Sequence, residues 1–349
     1  MLTQNWPSTL FVGRVKGDVM VNTGVLDLVH VYKGETFTDA FAGSVELAKM
    51  AERFGLSRVW YAEHHNMASI ASAATSVVIA HVAAHTDTIR LGAGGVMLPN
   101  HAPLTIAEQF GTLAQMYPGR IDLGVGRAPG TDMVTLRALR RTPMAADTFP
   151  DDVRELQGFL SDTSPVTGVT AVPGQGTHVP LYILGSSTFG AQLAAKLGLP
   201  FAFASHFAPQ MLRDAVALYR QRFQPSAVCG EPYALAALNV VAADEETDAL
   251  LLARAAAARR LKRLYRQAGH KLSDAEADAA LDTSAGAQVW EMVKYTAAGT
   301  PDVVAGAVDA FAEHAQVDEV LMVSSAPNRT AALRTIELVC EARQTVTVG

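Results

Sequence analysis

Residues 60–66 read WYAEHHN, two adjacent histidines immediately behind a glutamate at the end of an apolar run. Three chemistries suit such a group: a zinc site, a proton relay beside a cofactor, or a hydrogen-bonded loop that happens to contain histidines. Successive residues leaving a strand point in opposite directions, so His64 and His65 are not expected to face one point. The spacing also lacks the H-E-x-x-H pattern and any Cys/His ribbon, so no metal is expected here. An unperturbed histidine titrates near neutral pH, and one aimed into a pocket can carry protons there.

Three further stretches carry residue types suited to a flat, phosphorylated ligand. In LGAGGVMLPNHAP (91–103), Gly94 and Gly95 at the end of a strand allow close backbone approach or an unusual peptide geometry. A β-bulge is the structural alternative. DLGVGRAPGTD (122–132) has Pro129 where a dinucleotide fingerprint needs its third glycine, so Arg127 reads as a phosphate cation or a surface arginine. ILGSSTFGAQLAAKLG (183–198) runs from an apolar strand through Gly185, Ser186 and Ser187 directly into a helix. Free N–H groups, the positive helix end and hydroxyls make a phosphate seat, although an ordinary N-cap uses the same residues. FAFASHF (201–207) places Ser205 and His206 at the end of another strand.

These stretches are positioned by an alternation of short β-rich runs with longer amphipathic ones. Strands are expected at 22–28, 58–62, 89–98, 120–126, 181–185, 200–205, 234–244 and 318–325, each followed by helical spacing. Eight strand–helix units imply a single α/β domain over 21–349, a (β/α)8 TIM barrel, with an open doubly wound sheet as the alternative. Residues 127–148 after strand four and 245 to about 300 after strand seven exceed simple connections and are expected as insertions over the carboxyl ends of the strands. Residues 1–20 read as an N-terminal extension.

The chain of 349 residues is 49% hydrophobic and 18% charged, enough apolar material for a large core. A net charge of −6 without a dense basic stripe argues against nucleic-acid binding. The one basic run, ARRLKRLYRQ (258–267), reads as a solvated helix face or a local anion or partner patch. Cys229 and Cys340 are the only cysteines, which excludes a disulfide framework. No export signal and no apolar stretch of membrane-spanning length is visible, so a cytoplasmic protein is expected.

Taken together, VWYAEHHN, GAGGVMLPNHAPLTIAEQFGTLAQMYPGRIDLGVGRAPGTD, YILGSSTFGAQLAAKLGLPFAFASHF and AAGTPDVVAGAVDAF resemble the bacterial luciferase-like flavin-dependent monooxygenases, and within them the group-one luciferase-like oxidoreductases. The resemblance covers residues 22–342. It implies a barrel holding FMN, with Arg127, Ser186, Ser187 and Gly190 at phosphate-binding positions. It further implies a cis peptide between Gly94 and Gly95 under the flavin ring, and Ser205 nearby. His64, with Glu63 and His65 completing the motif, would be the catalytic group, and oxygen would be inserted into a small organic substrate through a C4a-peroxyflavin. The implied partners are O₂, an NAD(P)H:FMN reductase and a second copy of the chain. The deazaflavin F420 on the same fold and a non-catalytic flavin binder are the alternatives. Gly126 stands where luciferases carry a reactive cysteine, and Gly94–Gly95 replaces larger residues, so neither light emission nor a long-chain aldehyde follows.

Overall fold

The computed structural model describes residues 20–128 and 132–346. In chain order its elements are β1 (Asn22–Asp27), α1 (Phe37–Arg53), β2 (Arg58–Tyr61), α2 (Thr75–Ala83), β3 (Arg90–Met97), α3 (Pro103–Met116), β4 (Ile121–Gly126), α4 (Met133–Ala138), α5 (Phe149–Leu160), β5 (Leu181–Gly185), α6 (Thr188–Leu197) and β6 (Phe201–Phe203). There follow α7 (Leu212–Arg222), β7 (Ala234–Ala242), α8 (Glu246–Gln267), α9 (Asp274–Ala280), α10 (Ser284–Met292), β8 (Thr296–Gly299), α11 (Pro301–Ala315), β9 (Glu319–Ser324) and α12 (Arg329–Val346). The alternation of parallel strands with helices is that of a (β/α)8 barrel, as expected from the sequence. Apart from Met20, the N-terminal extension lies outside the described residues, as do 129–131.

The chain divides into two compact units, one comprising Thr23–Phe203 and Ala215–Leu235, the other Met1–Asn22, Ala204–Asp214 and Ala236–Gly349. In the first, β1 to β6 lie side by side in sequence order, every recorded pairing parallel. Parallel neighbours need a crossover, and the intervening helices supply it.

Local sequence explains the boundaries. Thr36 caps α1, its hydroxyl accepting from the Asp39 N–H while the Asp39 carboxylate accepts from the Thr36 N–H. Gly55, at φ +70°, ends the turn after that helix. On β2, Trp60 is fully buried and lies against β3 and β4 residues with little or no side chain. A Cβ on Gly92 would come within 2.8 Å of Trp60 Nε1, and one on Gly94 within 2.9 Å of Trp60 Cβ. The glycines are therefore the space into which the indole fits. Burying an aromatic of this size contributes roughly 4–6 kcal/mol as an upper estimate.

Beneath that indole sits a buried charge network. Asp122 Oδ2 accepts from Arg58 Nη1 at 2.7 Å and from Trp60 Nε1 at 3.1 Å, while Oδ1 accepts from Arg90. Arg58 also donates to the Tyr182 hydroxyl at 2.8 Å. Strands β2, β3 and β4 are thus tied at one carboxylate, and β5 joins them through Arg58.

In the second unit β7 lies between β9 and β8, paired in parallel with β8 from Asn239↔Thr296 to Ala242↔Gly299. β8 is a ninth strand that the sequence reading did not anticipate. Its residues, TAAG, have neither the length nor the β-branched content that marks a strand. Segment 245–300 otherwise holds α8, α9 and α10, which bury Ala257, Leu261, Leu281, Val289 and Trp290 among themselves. Among the described residues no helix is long and apolar enough to cross a membrane.

Candidate active site

β2 ends at Tyr61, and the next residues leave the strand on the carboxyl side. The Glu63 N–H donates to Gly95 O at 3.2 Å and the His64 N–H to Ser72 O at 2.9 Å, which fixes the motif's backbone against the end of β3. The Gly94–Gly95 peptide is cis, as the resemblance implied, and the β3–β4 register shifts between Gly94 and Val96, so the bulge is present as well. A Cβ on Gly95 would lie 2.6 Å from Gly124 O, which leaves no room for a larger residue.

Glu63, buried at 1% exposure, is the centre of the polar cluster. Its Oε1 meets Nε2 of His65 at 2.7 Å and Nε2 of His101 at 2.9 Å, and its Oε2 accepts from the Met97 N–H at 3.0 Å. Burial alone would raise its pKa. The hydrogen bonds from His101 and His65, the charge of His101 and the Met97 amide outweigh it and hold the carboxyl at about 2. Glu63 is therefore an anion throughout the neutral range, and each imidazole is oriented through Nε2. The three ligand atoms lie within 4.8 Å of one another, close enough to be compatible with a cation, yet the short contacts are those of an ion-paired hydrogen-bond cluster.

Of the two histidines of the motif, His65 turns back onto Glu63, and His64 is half-buried. His101 was not singled out from the sequence. The available signal was its place just ahead of the Pro103 that opens α3, at the end of the strand that carries the glycine pair.

The second cluster lies where β4 and β5 end. Ser187 occupies the N-cap of α6 in an extended conformation, its side chain makes no capping bond, and no acidic residue stands in the first turn. Arg127, exposed just beyond β4, lays its guanidinium 4.0 Å from the centroid of the Phe189 ring in that turn. Among the described residues Arg127 has no carboxylate partner. The Arg127 cation thus lies against the uncapped first turn of α6, which two serines precede and where no acidic residue stands, residue types that fit a phosphate. Gly190 is buried, its prospective Cβ 3.3 Å from Gly185 Cα, so its observed role is the close packing of α6 on β5. Phe189 was missed in the sequence because an aromatic at a helix start reads as core.

The insertion 127–148 joins the same end of the unit. Asp132, which caps α4 through the Thr135 N–H, accepts from Asn66 Nδ2 at 3.3 Å, and Arg141 Nε donates to Asn100 O at 3.2 Å. Both contacts land on loops that follow β2 and β3, so this insertion does reach over the carboxyl ends.

Ser205 belongs to the other unit, where it is buried and donates to Ala237 O at 2.6 Å. Its proton is committed to the strand, and its place with the phosphate cluster stays an implication of the resemblance. Beside it, Asn239 Nδ2 donates to His206 O at 2.8 Å and Asn239 Oδ1 accepts from Ser325 Oγ at 2.8 Å. Buried Cys340 has its thiol pushed up to about 12 by desolvation, which makes it unreactive.

Residues 20–319 match the family model described as luciferase-like monooxygenase. A luciferase-like monooxygenase of Escherichia coli K12 is 55% identical over 236 residues, covering 67% of this chain and 70% of that one. Among solved structures, apo-MsnO8 superposes with a TM-score of 0.83 at 31% identity, over 94% of this chain and 99% of the other. An F420-dependent secondary alcohol dehydrogenase, in complex with an F420-acetone adduct, shares the fold at a TM-score of 0.69 and 18% identity, over 93% and 99% of the two chains.

Proposed function

The chain belongs to the luciferase-like monooxygenase family, and on that premise we propose that it is an FMN-dependent monooxygenase of small organic molecules, supplied with reduced flavin by a separate NAD(P)H:FMN reductase. The observation that supports a phosphorylated flavin is the phosphate donor set, and the family supports FMN among such cofactors. Arg127 stacks on Phe189 at the uncapped start of α6, which Ser186 and Ser187 precede, and among the described residues no carboxylate answers it. Those residues would hold the flavin phosphate, and the glycine pair, joined by a cis peptide, brings bare backbone to the end of β3. When bound, reduced FMN supplies the electrons that activate O₂.

The residues of the chain bind, orient and move protons around that chemistry. Glu63, held ionised, fixes His65 and His101 by their Nε2 atoms, and the Met97 and Gly95 main-chain bonds keep the carboxylate's loop in register with β3. His64, half-buried beside this cluster in the chain, serves as the group that exchanges a proton with the reacting molecule. The insertion bearing α4 screens this end from water through its contacts with Asn66 and Asn100.

The test is oxygen uptake by the purified protein supplied with chemically reduced FMN, across a panel of small organic substrates, with reduced F420 in a parallel arm. Substrate-dependent uptake with FMNH₂, abolished in His64→Ala, is the expected result. Turnover with F420 and none with FMNH₂ moves the chain to the F420-dependent branch of the fold. Flavin binding with no uptake for any substrate favours a non-catalytic binder.

A further inference from the structure

The cations of α8 can be assigned partner by partner, and two are left over. Arg254 Nε meets Asp278 Oδ1 at 2.7 Å and its Nη2 meets Asp282 Oδ2 at 2.9 Å. Lys262 Nζ meets Asp274 Oδ1 at 2.6 Å. Arg259 donates to Pro327 O and Ala326 O, both at 3.0 Å. Arg266 is exposed. Arg260 and Arg263 are each half-buried, and among the described residues neither meets a carboxylate or an acceptor. Nη1 of Arg260 is fully shielded from solvent without any hydrogen-bond partner.

Their spacing places them together. Residues three apart on a helix share a face, and Arg259, four before Arg263, borders it. The other side of α8, with Ala257, Ala258 and Leu261, packs against Ala277, Leu281, Val289 and Trp290. Arg254 and Lys262 reach α9, whereas Arg259 ties the helix to the segment directly after β9, at that strand's carboxyl end. In a (β/α)8 fold, ligands gather at carboxyl ends.

An arginine used for structure satisfies its fork on protein oxygens, as Arg254 and Arg259 do on this same helix. Desolvation, with Arg263 and Arg259 alongside, pulls Arg260 down to about 10, and burial with Arg259 lowers Arg263 as well. Both stay charged at neutral pH, a concentration of positive charge without a counter-ion. The planar guanidinium matches a carboxylate, sulfonate or phosphate through two parallel hydrogen bonds.

We propose that Arg260 and Arg263 form a binding site for a small oxyanion, the carboxylate, sulfonate or phosphate of an organic molecule. That this molecule is the one oxidised rests on the monooxygenase reading; the anion site itself does not. The site selects an anionic substrate and disfavours a neutral hydrophobic one.

Thermal unfolding of the full chain, at constant ionic strength balanced with chloride, tests the site with acetate, methanesulfonate and inorganic phosphate as probes. The expected result is a saturable rise in Tm for at least one probe in the wild type, absent in Arg260→Met and Arg263→Met. Without any probe Arg260→Met should melt above the wild type, because it removes an uncompensated charge. Arg260→Lys, which keeps stem and charge but loses the fork, should weaken probe binding about tenfold, and it serves if a Met variant does not fold. Equal responses in wild type and variants, or no saturable response to any probe, overturn the proposal. FMNH₂ binding must survive in Arg260→Met. Its loss together with probe binding would make the pair a flavin-phosphate clamp and overturn the organic-anion assignment. A protein that shows the anion response yet no oxygen uptake with any substrate retains the site and loses only the catalytic reading.

Discussion

The Arg127 guanidinium lies over the Phe189 ring at 4.0 Å from its centroid, and this contact is what joins the loop after β4 to the first turn of α6. Stacking restrains the cation beside the uncapped helix end without neutralising it. The arrangement therefore suits an anion.

Replacing either partner should weaken flavin binding by different routes. Arg127→Gln removes a charge-assisted bond worth about 1.5–3 kcal/mol, so the dissociation constant for FMNH₂ should rise about 10- to 100-fold. Phe189→Leu keeps the charge but loosens its position, and a rise under about tenfold is expected. Riboflavin, which lacks the phosphate, should bind both variants as it binds the wild type. Anaerobic absorbance titrations measure all three.

The Glu63 carboxyl, held at about 2 in the folded chain against its ordinary 4.5, links stability to acid. The folded form binds the proton less readily than the unfolded chain, so the stabilisation is complete above pH 4.5 and is lost as pH falls towards 2. Its size is roughly 3 kcal/mol. Urea unfolding across that window should show a steeper acid loss for the wild type than for Glu63→Gln. Parallel pH profiles would remove the ion-paired cluster from the account.

His101 acts through Glu63, as a positioning residue. In His101→Ala the carboxylate loses one of its two imidazole partners, and its pKa should rise from about 2 towards the ordinary value. The acid limb of the pH–rate profile should shift upward with it, while His64→Ala lowers the rate at every pH. Carboxyl titration by NMR and pH–rate curves on the two variants distinguish the roles.

Asp122 lies near the start of β4 and serves stability. Asp122→Ala strands the buried Arg58 and leaves the Trp60 indole N–H without its acceptor, a loss of about 3–5 kcal/mol. The urea midpoint should fall sharply, and FMNH₂ affinity in the still-folded protein should change less than threefold.

Much of this was legible before any coordinates. Short apolar runs marked eight of the strands, several of them buried throughout, and period-3.6 spacing marked the helices between them. β8 escaped because TAAG is held by its pairing with β7, a tertiary contact that leaves no local pattern. At the site, glycine pairs and a serine-rich helix start announce themselves by type. His101 and Phe189 do not, since each matters only through a residue more than thirty positions away in the chain. Nor do the two unpaired arginines, because a basic run reveals which cations have partners only once α9 is in place.

The central claim is that the loop after β4 and the start of α6 hold the phosphate of reduced FMN. The most direct measurement is an anaerobic titration of wild type and Arg127→Gln with FMNH₂, each repeated with reduced riboflavin. Tight binding of FMNH₂ by the wild type, lost in the variant and not reproduced by riboflavin, is the predicted result. Equal affinity of both proteins for FMNH₂, or of the wild type for FMNH₂ and reduced riboflavin, would contradict it.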